Sequence, residues 1–466
     1  MDAGETTAEE LRSAPCDVPV RPARELLLLL AAAAALQAIA WVVIFQVLVA
    51  HKWGYVPSPV SDSSYYAFIG YKIVNGQWPY VDFAFEYPPL AALLFVIPPL
   101  RGTLGEYQRW FSVEMIALGV LTAIVTAAVA ARMWDGLGRP LAAAAALGLA
   151  VVAAGAIAVD RFDGAVALVL ALALLCMVHR RFTLAGFTVG IGFSLKLMPI
   201  VLLPLVLVLA RTRRCVAWAL AAAAAGALIP FLPFLVRDAG GVKTSLLGSQ
   251  VGRGLQIESV AASPYLVAQL IRPGAVTVTV PLGGSLTVNA AGTRLVDQLA
   301  PLMVFILLVL VYWAVWRSRE ALRADSEGIP VVALAALLAT MCGNKVLSPQ
   351  HLLWVLPPVA LCLVGRLSLP KVAALLVFVA LVLTQVEYPG MYYRQMRLDP
   401  VPLAVISIRN AVLVAAFVVA VAAIWRLKRQ KEEAVGETLA DTATAPYAAA
   451  HSEPTEVEPG LPGSTA

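Results

Sequence analysis

Short polar stretches interrupt an otherwise apolar chain, and they contain both carboxylates and cations. The stretch PYVDFAFEYPPL at 79–90 places Asp82 and Glu86 among four aromatic side chains. A carboxylate can take a proton from an incoming hydroxyl group, and cations can hold a departing phosphate. The other candidates of these kinds, with polar neighbours, are Asp62, Tyr87, Asp160, Arg161, Asp163, Lys196, Asn344, Lys345, Gln350 and His351.

The composition indicates an integral membrane protein. Of 466 residues, 60% are hydrophobic and only 14% are charged, whereas soluble proteins contain about one quarter charged residues. Many apolar runs approach the ~20 residues that a membrane-spanning helix needs. No two of the five cysteines share an exposed loop, so we expect neither a disulfide framework nor a metal site. The net charge of +5 reflects basic loops and does not indicate a nucleic-acid partner.

Basic loops orient the chain, because Lys and Arg are retained on the cytoplasmic side. The basic segments are 132–139, 179–181, 211–214, 317–323, 365–371 and 426–431. Placing all of them inside predicts twelve transmembrane helices with both termini in the cytoplasm. The predicted spans are 25–50, 109–131, 140–158, 163–178, 183–194, 197–210, 215–236, 294–316, 329–342, 350–364, 370–386 and 402–425.

Two segments depart from a simple span. Residues 182–210 lie between two basic loops that share a side, so they must cross twice or enter and return, with Lys196 at the turn. The segment 86–100 has only about 12 apolar residues between two proline pairs, which favours an interfacial helix over a span.

The fold class predicted is therefore an all-α polytopic membrane protein with interfacial helices in its first outer loop. The transmembrane domain covers 25–428, and its large outer loops are 51–108 and 237–293. The polar tails 1–24 and 429–466 are predicted to be cytoplasmic and disordered. Tyr388, Tyr392 and Tyr393 are interpreted as anchors at the membrane surface. The motif GFTVG at 186–190 predicts a close helix contact.

With this topology all the candidate residues fall on the outer face, which predicts a charged cavity that opens outward. Structural roles remain open for each of them. Asp62 suits a helix N-cap, and Asp82 or Glu86 suits a loop-fixing role or a pair with Arg101 or Arg109. Lys196 can simply reach the membrane surface, and His351 can cap a helix. The turn Asp160, Arg161, Asp163 can be self-paired.

Three stretches in order resemble one family. SDSSYYAFIGYKIVNGQWPYVDFAFEYPPL (61–90) is similar to its D-x-x-x-Y, G-x-x-x-Y and Y-P-P arrangement. FSLKLMPIVLLPL (193–205) is similar to its Lys-x-x-Pro turn, and NKVLSPQHLLWVLPP (344–358) to its S-P-x-H-x-x-W segment. The chain thus resembles a GT-C membrane glycosyltransferase, more narrowly the actinobacterial polyprenyl-phosphate-mannose-dependent alpha-mannosyltransferases.

The resemblance implies a mechanism and partners. A polyprenyl-phosphate-linked sugar, mannose by this resemblance, would be the donor, and the acceptor would be a hydroxyl group of a lipid or glycan. Asp62 occupies the position of the general base, and the transfer would invert the anomeric centre without a further cofactor. Lys196, His351 and Lys345 would bind the donor phosphate. Asp82, Glu86, Tyr87, Asp160, Arg161, Asp163, Asn344 and Gln350 would line the cavity or contact the acceptor.

One residue departs from the resemblance, and two other classes of protein are alternatives. Gln350 stands where the family carries the first histidine of a His-His pair, which leaves the sugar and the acceptor undetermined. A polytopic transporter or flippase would also have about twelve helices with interruptions. Transporters place polar groups near the membrane midplane, whereas this chain gathers them at one face. A structural membrane protein of a cell-envelope complex would explain the spans but not the clustered acids and bases. The pattern therefore favours an enzyme in the plasma membrane with an extracytoplasmic site.

Overall fold

The computed structural model describes residues 22–44, 61–280 and 285–449. Side chains are described in these ranges except at 250 and 428–449. Much of the predicted tail 1–24, part of the first outer loop (51–60) and the end of the C-terminal tail (450–466) lie outside the described residues. The last helix continues to Ala449, so the first part of the C-terminal tail is helical.

The described residues form nineteen α-helices and one small hairpin. The helices up to the middle of the chain are α1 (Ala23–Val43), α2 (Ser63–Val74), α3 (Pro89–Val96), α4 (Leu104–Met133), α5 (Gly138–Ala154), α6 (Ile157–Asp160), α7 (Asp163–Val178), α8 (Phe182–Leu195), α9 (Leu203–Leu209) and α10 (Arg213–Leu228). The remaining helices are α11 (Leu232–Gly252), α12 (Ser263–Ile271), α13 (Thr293–Arg317), α14 (Arg319–Ala324), α15 (Ile329–Gly343), α16 (Leu356–Val364), α17 (Ser368–Glu387), α18 (Tyr392–Met396) and α19 (Pro400–Ala449).

Short irregular elements complete the fold. Strands β1 (Thr277–Thr279) and β2 (Thr287–Asn289) pair antiparallel, with Thr277 opposite Asn289. Among the described residues, 3-10 helices cover Met198–Leu202, Ile229–Phe231, Val260–Ala262, Ser326–Gly328 and Pro349–Val355. The all-α prediction is thus confirmed apart from this hairpin.

Within the described residues, each of the twelve predicted spans falls on helical structure, and positions 45–50 of the first span lie outside those residues. Seven helical segments in the described ranges are long and apolar enough to cross a membrane. The other five predicted spans correspond to shorter apolar segments, Gly138–Ala154, Asp163–Val178, Phe182–Leu195, Met198–Leu209 and Pro349–Val364. A further short apolar segment, Val260–Ile271, was not predicted as a span. The polytopic helical class is confirmed, and the count of twelve crossings stays a prediction.

The two segments that departed from a simple span fold as short helices. Pro88 precedes α3 and Pro89 occupies its first turn, where the missing N–H of proline leaves no helical hydrogen bond unmade. At eight residues α3 is too short to span a bilayer. Helix α8 ends at Lys196, whose backbone is extended, and the chain returns through a 3-10 turn into α9.

Helix α15 lies at the centre of the bundle, because every residue from Ile329 to Gly343 is buried. Helices α13, α16 and α19 pack around it. Large exposed apolar side chains lie on α13, with Phe305 63% exposed. In a soluble protein such a surface would be unusual, and in a membrane it faces lipid.

The region after α11 forms a separate layer at one end of the bundle, which we call the hairpin lobe (residues 253–280 and 285–292). It has its own apolar core. Helix α19 holds it through buried polar side chains. Arg409 donates to the carbonyl of Glu258 at 3.0 Å, and Asn410 donates to the carbonyl of Ser259 at 3.0 Å and to Ser263 Oγ at 2.8 Å.

The closest helix contact joins α8 and α10 through glycines, as the GFTVG motif predicted. A Cβ atom on Gly190 would lie 2.2 Å from the carbonyl oxygen of Ala223, and one on Gly186 would lie 2.2 Å from that of Ala219. Both distances are far below van der Waals contact, so only glycine allows this approach.

We expect Gly190→Ala to lower the thermal unfolding temperature of the purified protein, because the added methyl group must push the helices apart. Overpacking of this kind costs about 1–3 kcal/mol. The matched control is Gly105→Ala, since Gly105 lies in α4 and has open space around it. In a helix this change normally stabilises by about 0.5–1 kcal/mol. Equal unfolding temperatures for the two variants would contradict the contact.

Candidate active site

Asp62 lies at the start of α2 with an accessible carboxylate. It stands in the N-cap position, but its side chain accepts no hydrogen bond from the backbone at the start of the helix. The prediction that Asp62 caps the helix is therefore wrong. Its Oδ1 lies 3.3 Å from Arg161 Nη1, and its Oδ2 accepts from the Tyr66 hydroxyl at 3.4 Å. The side chain remains 35% exposed.

Arg161 organises the charges behind Asp62. It is 4% exposed, and its Nη1 lies 2.5 Å from Asp160 Oδ2. Its Nη2 donates to the Tyr388 hydroxyl at 2.5 Å. Ser61 Oγ donates to the other oxygen of Asp160. Tyr388 is 4% exposed, so its interpretation as a surface anchor is wrong. The charged turn is not self-contained, because Arg161 pairs beyond it with Asp62.

The Arg161 guanidinium pairs with both Asp160 and Asp62, so its positive charge is shared between two carboxylates. Burial is the main cause that raises the pKa of Asp160 to about 6, and the charge of Asp62 adds to it. The Arg161 guanidinium and the Ser61 hydroxyl act in the opposite direction. Asp160 is 12% exposed, whereas Asp62 is 35% exposed. Of these two carboxylates, Asp62 is the one open to a substrate.

A second cluster surrounds Lys196 at the end of α8. Lys196 Nζ lies 2.6 Å from Asp163 Oδ1, and Asp163 is fully buried. The same oxygen accepts from Trp354 Nε1 at 2.6 Å. The ammonium group lies over the rings of Phe162 and Trp354, at 4.7 and 5.3 Å from their centroids. The His351 ring stacks on Trp354 with centroids 4.3 Å apart.

The acids of the opening stretch 79–90 have different environments. Glu86 Oε2 pairs with Arg253 Nη2 at 2.6 Å, with both side chains about one quarter exposed. The expected pairing of Glu86 with Arg101 or Arg109 is therefore wrong. Asp82 is exposed and accepts from the backbone N–H of Trp78 at 2.7 Å. Asp82 thus shapes its own loop, and Glu86 joins the loop to the hairpin lobe.

Aromatic rings join these groups into one site. Phe162 lies between Arg161 and Asp163 in the chain, and its ring contacts Tyr66 and Tyr87 at centroid distances of 5.7 and 5.1 Å. Burial is the main cause that raises the pKa of Tyr87, and the charges of Glu86 and Asp62 add to it while Arg253 opposes it. Charges from the first outer loop and from the hairpin lobe therefore act on the same hydroxyl group, while Phe162 packs against its ring.

The predicted residues after α15 are only partly brought into this site. Lys345 Nζ pairs with Asp297 Oδ1 at 2.7 Å and donates to the carbonyl of Val251 at 3.3 Å. Asn344 ends α15, and its Oδ1 accepts from the Val346 N–H at 3.2 Å. Gln350 is half-buried next to His351. These contacts tie Lys345 to α11 and α13 and fix the turn after α15, and the Gln256 N–H of the hairpin lobe donates to the Lys345 carbonyl at 3.0 Å.

Three participants were missed or misread in the sequence. Arg253 lies in a glycine-rich stretch without a recognisable motif. Trp354 belongs to a motif that was noted for its histidine, and Tyr388 lies next to a proline in a loop. Their partners are distant in the chain, so only the fold reveals them. Across the described ranges, no three His, Cys, Asp or Glu side chains are grouped as metal ligands would be.

The helical bundle and its acid–base cluster have the character of a membrane transferase, and comparison with known proteins gives the family. A model of glycosyltransferase family 87 matches residues 85–342, which is more than half of the chain. The chain belongs to glycosyltransferase family 87, and the resemblance to a GT-C membrane glycosyltransferase is confirmed at this level. The matched range includes Glu86, Arg161, Lys196 and Arg253, and Asp62 precedes it.

Among solved structures, the crystal structure of ArnT from Cupriavidus metallidurans bound to undecaprenyl phosphate is similar to this chain. The match covers 91% of this chain and 80% of that chain, with 19% sequence identity and a TM-score of 0.43. The comparison with curated protein sequences found no match.

We expect the stability difference between the wild type and Asp160→Asn to depend on pH. The pKa of Asp160 is higher in the folded protein than its ordinary value of 3.8. The folded state therefore binds this proton more readily, and the resulting contribution to stability is lost as the pH rises from about 4 to about 6. Over that window the wild type should lose up to about 3 kcal/mol relative to the variant.

Thermal unfolding of both proteins between pH 4 and pH 7.5 measures this difference. Asp82→Asn is the matched control, because Asp82 is exposed and contacts only its own loop. Parallel pH profiles for the wild type and Asp160→Asn would show that Asp160 does not hold a shifted proton.

Proposed function

We propose that the protein transfers mannose from a polyprenyl-phosphate-linked donor to a hydroxyl group of a lipid or glycan, with Asp62 as the general base. The observation that carries this proposal is the pair of neighbouring clusters, one with an accessible carboxylate and one with cations. Mannose is proposed from the motif resemblance, since no contact in the site distinguishes one hexose from another.

Asp62 is the best placed carboxylate for removing a proton. Asp163 is fully buried against Lys196, and Glu86 is paired with Arg253 at 2.6 Å. Asp160 is closed off by Arg161 and Ser61. The contacts of Asp62 at 3.3 and 3.4 Å are looser, and they orient the carboxylate while leaving lone pairs for a substrate hydroxyl.

The cations suit the phosphate that leaves. Lys196 carries three N–H donors, of which Asp163 takes one, and it is 15% exposed. Arg253 reaches the same aromatic cluster, because its partner Glu86 precedes Tyr87, whose ring contacts Phe162. We include Arg253 with Lys196 and His351 in the phosphate site. Lys345 is the weakest of the predicted phosphate ligands, because Asp297 and the Val251 carbonyl together take two of its three N–H donors.

The reaction is a single displacement. The acceptor hydroxyl oxygen forms a bond to the anomeric carbon while the bond from that carbon to the phosphate oxygen breaks. The electron pair of the broken bond leaves with polyprenyl phosphate, and the hydroxyl proton passes to Asp62. Attack from the face opposite the phosphate inverts the anomeric centre. The two clusters, separated by the rings of Phe162, Tyr66 and Tyr87, would contact opposite sides of the sugar.

Access from the membrane is supported by the apolar surface beside the site. Helices α2 and α3 carry large exposed apolar side chains, with Phe68 54%, Leu93 58% and Ile97 64% exposed. Short helices with exposed apolar faces lie at membrane surfaces, so a polyprenyl chain could pass along them. The basic loops support a location of this end of the bundle outside the plasma membrane, with both termini in the cytoplasm.

We expect Asp62→Asn to reduce sugar transfer by about 10²–10⁴-fold, because the amide cannot take up the hydroxyl proton. Transfer is measured with radiolabelled polyprenyl-phosphate-mannose in membranes that contain the variant. Asp82→Asn is the matched control with the same chemical change in the same loop, and it should keep near-normal transfer. An unchanged unfolding temperature shows that Asp62→Asn is folded. Normal turnover by this folded variant would refute the assignment.

The donor class has its own test. Membranes supplied with radiolabelled polyprenyl-phosphate-mannose should label a lipid or glycan in proportion to the amount of this protein. Labelled nucleotide sugar should give no product when the synthesis of lipid-linked donors is blocked, because the proposed site binds a lipid phosphate. Product formed from the nucleotide sugar under that block would overturn the donor class.

A further inference from the structure

A second charged cavity lies at the opposite end of the bundle from the active site. Its volume is about 600 Å³, and it is enclosed by the end of α4, the α7–α8 and α9–α10 connections and the region around α14. Four arginines and two aspartates are the charged residues of its lining, so its formal charge is 4 − 2 = +2. They are Arg132, Arg180, Arg211, Arg323, Asp135 and Asp325.

This cavity is distinct from the active site. Helix α7 begins at Asp163 in the active site and ends at Val178, which lines the cavity. Helix α8 runs back from Phe182 in the cavity to the residue before Lys196. At 1.5 Å per residue these helices separate the two sites by roughly 20–25 Å. The basic loops predict that the cavity faces the cytoplasm.

Three of the arginines are held by backbone carbonyls, and Arg323 also pairs with Glu320 at 3.2 Å. Arg323 donates to the carbonyls of Val208 and Ala210 at 2.9 and 3.3 Å. Arg180 and Arg211 both donate to the carbonyl of Arg323, at 2.9 and 3.3 Å. A guanidinium has five N–H donors, so the single contact of Arg211 does not exhaust it. These contacts gather positive charge around one wall of the cavity.

Arg132 adds a positive charge from the opposite wall. It is half-buried near the end of α4 and makes no hydrogen bond or ion pair with the part of the chain that the structure describes. Thr212 caps the start of α10 at the same cavity, and the positive end of that helix adds to the field of the arginines.

The rest of the lining is apolar. Met133, Val178, Phe182 and Leu209 line the cavity beside the arginines. A cavity with both characters suits an amphiphile that carries a phosphate, and basic pockets between helices on the cytoplasmic side bind anionic lipid headgroups. We propose that this cavity binds a phosphate group, supplied by the headgroup of an anionic lipid of the inner leaflet.

The test uses the full chain purified in detergent and native mass spectrometry during titration with phosphatidylglycerol. Arg132→Gln combined with Arg211→Gln should weaken lipid binding by about tenfold or more, because each arginine near a lipid phosphate contributes severalfold. The matched control is Arg366→Gln combined with Lys371→Gln. It removes two charges from the same predicted face at residues that do not line the cavity, and it should change binding less than twofold.

A second arm distinguishes the lipid from a free anion. Equilibrium dialysis with radiolabelled inorganic phosphate measures uptake by the wild type and by both double variants. Lipid binding that depends on Arg132 and Arg211, without phosphate uptake, supports the lipid source. Phosphate uptake that is lost only in the cavity variant supports the phosphate site with a soluble ligand. If neither ligand distinguishes the cavity variant from the control, while both variants unfold like the wild type, the proposal is overturned.

Discussion

The candidate active site depends on the interactions of the buried carboxylate of Asp163. One of its oxygens accepts from both Lys196 and Trp354 at 2.6 Å, so it joins the start of α7, the end of α8 and the turn that carries His351. A charge in such a place is tolerated only when it is paired. The ion pair with Asp163 stabilises the charge of Lys196 at the end of an apolar helix. Phe162 precedes Asp163 in the same turn, and this places its ring between the two clusters.

Much of the architecture could be predicted from the sequence, because it follows from local constraints. The apolar runs determine the helices, proline at 88 and 89 determines where α3 begins, and glycine at 186 and 190 determines the close approach to α10. The positions of these residues in the chain are sufficient for such inferences. The sequence also predicted that the acidic and basic residues lie at one end of the bundle. This prediction needed only the alternation of helices between basic loops.

The pairings inside the site could not be predicted, because they join residues far apart in the chain. Ser61 and Asp160 are 99 positions apart, and Arg161 and Tyr388 are 227 apart. Local reasoning gave Asp62 a helix cap as the alternative to its role as general base, and it assigned Tyr388 a place at the membrane surface, in both cases from residue type and position in the chain. The glycine-rich approach to Arg253 has no periodic signal, so the partner of Glu86 was assigned to nearer arginines.

The lengths of helices α7 and α8 explain why charged residues lie at both of their ends. Helices α7 and α8 have 16 and 14 residues, which gives lengths of about 24 and 21 Å. A bilayer's hydrocarbon core is about 30 Å thick, so their ends fall about 6–9 Å short in total. In the predicted topology, in which both helices cross the membrane, the chain must therefore leave the helical conformation below the membrane surface, where exposed backbone is tolerated only beside protein or a polar cavity. Asp163 and Lys196 occupy one such recess, and the arginine-lined cavity occupies the other. A lipid phosphate lies at a comparable depth, so the geometry that forces these recesses also suits them to lipid-linked ligands.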